Sequence, residues 1–431
     1  MVRTTWPSAG VDGSVTAQTN ELLSLLQKGK PVLIKAGVRV VSRGMLVNSM
    51  PVDIAGENGA IIEFSGVTDC GFRFLSCPSA SITNMTVRWP GTGRATRNNS
   101  WPGIYFAGSA NSFIDNVTVI RSPGAGVLFG GCIAPKATNV TVQYTGADGI
   151  HFANCGSVYA ANLTTSYTGD DGIAFVDYAD KPAPGGFTLV GGKISESLAR
   201  GLSIVGASRG TATDIVIDGT ASNNIHVEQD ITYKTLFPSQ ITVRRVTATR
   251  AGGTLPKGGN QYGINIVRAT AVLMDDISVS NGTSIGISVV SSNNVTLNNV
   301  RTTTSVNNGL RVQGTVGCVL NKVKITDVVS QYMAITDSSN VTGDIELIYK
   351  RDSTLGAAQI ANTKGIDINA LTFVGFPVNT LKFISTSNSG TLVMSDTPPA
   401  TMSLVAGIMN KVSQTYNGVR QASDSLKIST K

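Results

Sequence analysis

A tetrad of glycine or asparagine, hydrophobic, any residue, hydrophobic starts at Gly103, Gly126, Gly149, Gly172, Gly201, Asn224, Gly263, Gly286 and Gly309, and in a tyrosine-led form at Tyr332. Seven of its nine spacings are 23 residues. A unit that short cannot bury its own apolar face and must stack on its neighbours, so the repeat restricts the chain to a solenoid. A second alternating run follows each tetrad, as in Phe113–Val119, Ala137–Val142, Val158–Leu163 and Asn294–Val300. Isoleucine, valine or leucine alternating with asparagine, threonine or serine is the period-two signature of strands with one buried face. Coils of 23 residues accommodate three short strands and three turns. The expected fold is therefore all-β, a parallel β-helix, right-handed as nearly all parallel crossovers are.

Composition agrees: glycine is abundant, at 47 residues, and charged residues make up only 14 %, as short strands and turns require. No 18-residue apolar run is present to span a membrane. Residues 1–25 lack the apolar core and small-residue cleavage site of a secretory signal, which argues against export by that route. Five cysteines without a Cys-x-x-Cys pair argue against a disulfide framework or a structural zinc site. Cys132 and Cys155 lie one repeat apart and are expected to stack as buried thiols, pointing to folding inside a cell. The net charge of +7 attracts polyanions in general. No stretch interleaves Lys/Arg with aromatics, so nucleic acid is not the expected partner. In the alternating run Gln240–Ala248, one of Arg244 and Arg245 is expected to point inward or cap a turn.

An amphipathic segment, Val15–Gln27, reads as a helix capping the open end of the solenoid, followed by a strand at Val32–Lys35. Coils are expected from about Pro51, with Ile61–Phe64 and Phe72–Phe74 as early tetrad strands. The rhythm fades after Lys350, where strands at Gly365–Phe373, Thr380–Ile384 and Thr391–Met394 are broken by Pro398-Pro399. The expected organisation is residues 1–50 as cap and first coil, 51–350 as the β-helix, and 351–431 as a small β-rich region suited to oligomerisation. Asn-Val-Thr recurs at Asn116, Asn139, Asn294 and Asn340, and its regular placement favours turn chemistry over glycosylation. Four insertions interrupt the repeat, at about Arg88–Trp101, Asp177–Gly186, Gln229–Ser239 and Arg250–Gln261. They flank the tetrads on both sides and are expected to wall a trough carrying aromatic and cationic side chains.

Aligning the coils on their glycines brings chemistry together. Asp148, Asp170, Asp171 and Arg200 fall just before successive tetrads, and His151 and His226 occupy the outward third position. Neighbouring coils lie about 4.8 Å apart, so the aspartates, Arg200 and His151 are expected to cluster. Crowded carboxylates raise one another's proton affinity, so one stays protonated as an acid while another is ionised, the division of labour that glycoside hydrolysis needs. Asp148, Asp170 and Asp171 are the catalytic candidates. The substrate-binding candidates are His151, Arg200, His226, Glu228, Trp101, Tyr105, Tyr178 and Tyr233.

The runs Thr145–Gly149, Gly169–Ala174, Arg200–Ile204 and Asn223–Glu228 resemble the ordered active-site motifs of the polygalacturonase family, right-handed β-helix glycoside hydrolases of the pectin-lyase-like superfamily. That resemblance implies Asp170 as general acid, with Asp148 and Asp171 positioning water for an inverting displacement. The family's histidine is Arg200 here, and its arginine and lysine, which hold a uronate, are His226 and Glu228, so pectin is not the implied substrate. The capped start and irregular C-terminal region resemble bacteriophage tailspike depolymerases. This resemblance implies a homotrimer on a phage tail, part of the virion, acting on a bacterial surface polysaccharide. Hydrolysis of this kind needs neither cofactor nor metal. Two other readings stand beside it: a polysaccharide lyase with Arg200 or His151 as base and Ca²⁺ held by the aspartates, and a non-catalytic glycan-binding adhesin.

Overall fold

The computed structural model describes residues 3–7, 14–65, 69–181, 185–252, 261–282, 284–350 and 356–374, and beyond these the backbone of six short strands between 382 and 430. It divides into two compact units, residues 1–217 with 230–236, and residues 218–229 with 237–431.

In the first unit the tetrads form one parallel sheet. Strands Met45–Asn48, Phe72–Leu75, Ile104–Ala107, Val127–Gly130, Ile150–Ala153, Ile173–Val176 and Leu202–Val205 pair in succession. The register holds tetrad on tetrad, with Tyr105, Leu128, His151, Ala174 and Ser203 in one column. The second alternating runs form another parallel sheet, through Ala80–Arg88, Ser112–Ile120, Lys136–Gln143, Val158–Ser166 and Phe187–Ser197. Two sheets rather than three line each coil, because the longer strand bends instead of ending. At each bend sits a left-handed residue, Asn116 (φ 50°), Asn139 (φ 54°) or Asn162 (φ 54°), a conformation asparagine tolerates better than most residues. The Asn116 amide donates to Asn84 Oδ1 at 3.0 Å and that of Asn162 to Asn139 Oδ1 at 3.1 Å. At Asn116 and Asn139 the Asn-Val-Thr asparagine is thus a stacked corner, whereas Asn294 (φ 52°) and Asn340 (φ 54°) take the left-handed conformation at the starts of their strands.

The core between the sheets is an aromatic column. Phe106, Phe129, Phe152 and Phe175 stack at centroid distances of 4.8, 5.0 and 5.0 Å, the spacing that parallel strands impose. All four are buried. The helix Val15–Gln27 forms where expected, with the Ser14 hydroxyl capping Ala17 N–H and Leu22 and Leu26 fully buried. Trp6 Nε1 donates to Gln18 O at 3.0 Å and ties the helix to the first strand. Ile61–Phe64 is not a tetrad strand: Ala60–Phe64 pairs with Gly37–Val41 in the other sheet, and Met45–Asn48 precedes Phe72–Leu75. Alternation marks which side chains point inward and is silent about which sheet a strand joins. The cysteines are all free and buried.

The second unit repeats the plan with aliphatic residues in place of the phenylalanines: Ile266, Val289, Val312 and Ile335 are buried in register. Arg244 and Arg245 are both exposed, so neither points inward; Arg245 instead takes a left-handed corner (φ 50°), where the alternation slips. Parallel pairing runs on past Lys350, from Gln331–Thr336 to Gly356–Ala361, Lys382–Thr386 and Ser403–Ala406. The rhythm is lost because partners such as Met333 and Ala358 are no longer 23 residues apart and a register shift falls at Gly343/Asp344. Pro398-Pro399 lies outside the described residues.

Removing one ring interrupts the column on both sides. Phe152→Ala is expected to destabilise the protein by about 3–5 kcal/mol, read as a lowered denaturant midpoint; a loss under about 1 kcal/mol would show that the column does not carry the core.

Candidate functional site

The three aspartates meet in the first unit. Each contributes a carboxylate oxygen to a group whose members all lie within 4.8 Å of one another. Asp148 and Asp171 are one coil apart, and the Asp171 N–H donates to Asp148 Oδ1 at 3.1 Å. Asp171 is buried and receives two bonds from Arg200, its backbone N–H to Oδ1 at 2.9 Å and Nη1 to Oδ2 at 3.2 Å. His151 Nδ1 lies 2.7 Å from Asp148 Oδ2. The expected cluster of Asp148, Asp170, Asp171, His151 and Arg200 is therefore assembled. Two stacked turns, Thr145–Asp148 and Thr168–Asp171, hold it, and the Thr145 and Thr168 hydroxyls bond to Ala147 O and Asp170 O.

A residue that the alignment left out completes the group. Arg97, from the first insertion, places Nη2 2.6 Å from Asp170 Oδ2. The insertion seats directly on the turn: Ala95 N–H donates to Tyr144 O at 2.9 Å and Asn98 N–H to Pro123 O at 2.8 Å. A Cβ on Gly146 would lie 2.2 Å from Pro123 O and 2.9 Å from Arg97 Cα, and one on Gly169 would lie 2.2 Å from Gly146 O. Glycine at these places lets backbone touch backbone. Gly146, inside the first aspartate motif, is the sequence signal for the contact with the insertion, and Gly169 lets the second turn stack on the first.

Charges within the cluster divide the carboxyl groups. Burial, and then the charge of Asp171, raise the Asp170 pKa above its ordinary value, outweighing the pull of Arg97 and Arg200. Burial opposes a charged His151, but Asp148, Asp171 and Asp170 prevail and raise its pKa. The aspartates could ligate a hard cation by their oxygens, but Arg97 and Arg200 already neutralise two of them, which fits a proton-transfer site better.

Tyr178 packs on Ala174, Val176 and Val205 and feels the charges of Asp148 and Asp171. Tyr233 is 69 % exposed on a turn whose Thr232 and Tyr233 N–H groups are held by Asp230 Oδ1 at 2.9 and 3.1 Å. Segments 177–181 and 230–236 are zipped by the Tyr178–Thr235 bridge and by Leu236 N–H to Asp177 O at 2.9 Å. Tyr105 sits two coils before His151 in the same column, beneath the Arg73 guanidinium. Trp101 is half-buried, held by its backbone to Asn98 and Gly124 rather than placed against a carboxylate. The third position is not uniformly exposed: Ala174 and Ser203 are buried, Ala174 beneath Tyr178. Most of the fourth insertion, residues 253–260, lies outside the described residues.

His226 and Glu228 belong to the second unit and form a group there. His226 is buried, its Nδ1 facing the amides of Asn223 at 3.0 Å and Asn265 at 3.2 Å and its Nε2 2.8 Å from Glu228 Oε2. Arg268 Nη2 holds Glu228 Oε1 at 2.5 Å.

No family model matches the sequence, and no curated protein matches it. Solved structures do. The chain is similar to a tailspike protein of E. coli bacteriophage HK620 in complex with a pentasaccharide, with a TM-score of 0.61, 10 % identity, and coverage of 99 % of this chain and 80 % of that one. The fold is a right-handed parallel β-helix. It is also similar to the catalytic domain of a GH87 alpha-1,3-glucanase in complex with tetrasaccharides, with a TM-score of 0.53, 14 % identity, and coverage of 90 % of this chain and 68 % of that one. At such identities the likeness concerns the fold alone.

Asp177 is buried, and burial pushes its carboxyl up to about 7 against the opposing charge of Arg209. A carboxyl raised in the folded state contributes stability that is whole below its unfolded pKa of about 3.9 and is lost as pH rises through the folded value. Thermal stability is therefore expected to fall between about pH 4 and 7, by at most about 1.4 kcal/mol per pH unit from this group. Asp177→Asn should flatten that slope; an unaltered slope would remove Asp177 as its source.

Proposed function

We propose that the chain is a polysaccharide depolymerase, a glycosidase that hydrolyses a bacterial surface glycan, capsule or lipopolysaccharide, and that it serves as a homotrimeric tailspike on a phage virion. The observation that carries the catalytic reading is the cluster of three carboxylates with unequal surroundings. Asp171 is buried and held by Arg200 through two hydrogen bonds. Asp170 carries the raised pKa, and its Oδ1 takes no hydrogen bond from any described residue, so that oxygen is available to carry the proton.

In this reading Asp170 protonates the glycosidic oxygen as the bond to the anomeric carbon breaks. Asp148, oriented by His151, and Asp171, oriented by Arg200, stabilise the developing oxocarbenium ion and hold the attacking water, whose proton one of the two carboxylates accepts as the new C–O bond forms. Tyr178 and the outlying Tyr233 supply aromatic surfaces for sugar rings. The saccharide complexes of both fold neighbours support a glycan as the partner. The lyase reading is less favoured, because Arg200 is committed to Asp171 and the raised pKa of His151 disfavours the neutral form a base requires.

Incubation with a panel of capsular and lipopolysaccharide glycans, with products weighed by mass spectrometry, tests this. Hydrolysis adds one water per cut, whereas elimination leaves an ultraviolet-absorbing double bond and an adhesin releases nothing. Asp170→Asn is expected to slow cleavage by roughly 10²–10⁴-fold with an unchanged thermal midpoint. Undiminished cleavage by that variant would remove Asp170 as the acid.

A further inference from the structure

Two arginines touch the carboxylate cluster, and they are held differently. Arg200 donates to Asp171 through both its backbone and its side chain, and its side chain is 29 % exposed. Arg97 has a fixed base and an exposed end. Its backbone lies against the Gly146 turn, while its side chain is 46 % exposed and makes two side-chain bonds, Nε to Asn99 Oδ1 at 2.9 Å and Nη2 to Asp170 Oδ2 at 2.6 Å.

That second bond opposes the chemistry assigned to Asp170. A guanidinium at ion-pair distance favours the carboxylate, and a general acid has to be protonated. The other groups facing Asp170 are Asp171 beside it, Asp148 and His151 on the preceding coil, and Arg200 on the following one, with Tyr178 and Tyr233 nearby. Of the two cations, Arg97 is the one whose removal from Asp170 requires only rotation of an exposed side chain. Once it leaves, Asp170 remains half-buried beside ionised Asp171, which drives it to take a proton from solvent. The exchange needs an anion that binds the guanidinium better than Asp170 does: Asp170 holds it through Nη2 alone, whereas a free carboxylate can take a guanidinium by two parallel bonds. The net charge of +7 favours approach of such a polymer.

Resting on the hydrolase reading, we propose that Arg97 is a specificity-determining and positioning residue: it latches Asp170 in the empty site and is drawn off by the carboxylate of an acidic sugar unit in the substrate, so that carboxylate-bearing glycan arms its own cleavage. The proton comes from solvent water, and no bond other than the ion pair is exchanged in this step.

The experiment follows the Asp170 side-chain carboxyl by ¹³C NMR titration, a readout independent of turnover, in the full-length protein and in Arg97→Gln and Arg97→Lys. Glucuronate and N-acetylneuraminate serve as carboxylate probes and glucose as the neutral control. The expected result is an upward shift of the Asp170 midpoint with either acid and none with glucose. Arg97→Gln starts at the shifted value and does not respond, and Arg97→Lys recovers part of the latch. For any glycan cleaved in the panel, the alkaline limb of kcat/KM should move to higher pH in Arg97→Gln. Its preference for the native over the carboxyl-reduced polymer should fall from tenfold or more to near unity. An Asp170 midpoint unmoved by Arg97→Gln, or a cleaved glycan that carries no carboxylate, overturns the inference. Absence of any cleavage overturns the hydrolase reading while leaving the NMR result to judge the latch.

Discussion

The backbone ladder between successive coils is the constraint from which the rest follows. Parallel pairing in unshifted register puts each tetrad residue beside its counterpart in the next coil, at about 4.8 Å. The phenylalanine column obeys the same spacing, since rings on consecutive strands have no other distance available. Asparagine corners stack for the same reason. Whatever a coil carries at a given place is repeated, opposed or neutralised one step away.

For phenylalanine that repetition is stabilising, and for aspartate it is costly. Like charges one coil apart repel, and burial sharpens the repulsion. The protein meets this with two cations on different footings. Arg200 is built into the adjacent coil and serves Asp171, whereas Arg97 is delivered by an insertion and serves Asp170. The remaining imbalance raises the affinity of Asp170 for a proton. A site of this kind is less stable than its surroundings would allow, as sites that hold reactive groups generally are.

Much of this was legible because a regular repeat turns a sequence into columns. The grouping of Asp148, Asp170, Asp171, His151 and Arg200 required only counting, and the helix Val15–Gln27 only amphipathic spacing and a serine cap. What escaped counting lay outside the repeat. Arg97 sits 73 residues from its partner Asp170, in a segment with no register to align: the insertion was expected to line the trough with cations, but nothing in it assigned one to a particular aspartate. Burial of Ala174 follows from Tyr178, which also belongs to an insertion. At Arg244-Arg245 alternation left two outcomes open, inward or at a turn, and the left-handed corner at Arg245 decides for the turn. The distinction between tetrad strands and their partners was lost at Ile61–Phe64, where both obey the same alternation.

The glycine contacts beneath the insertion have an architectural consequence. Because Gly146 and Gly169 accept neighbouring backbone at distances no side chain permits, the docking platform and the clustered aspartates are written into the same short motifs. A coil duplicated or deleted elsewhere along the solenoid changes its length by one step and leaves these local distances intact. The site is thus portable along the helix, together with its platform, and depends on the few turns that touch it rather than on the number of coils that surround it.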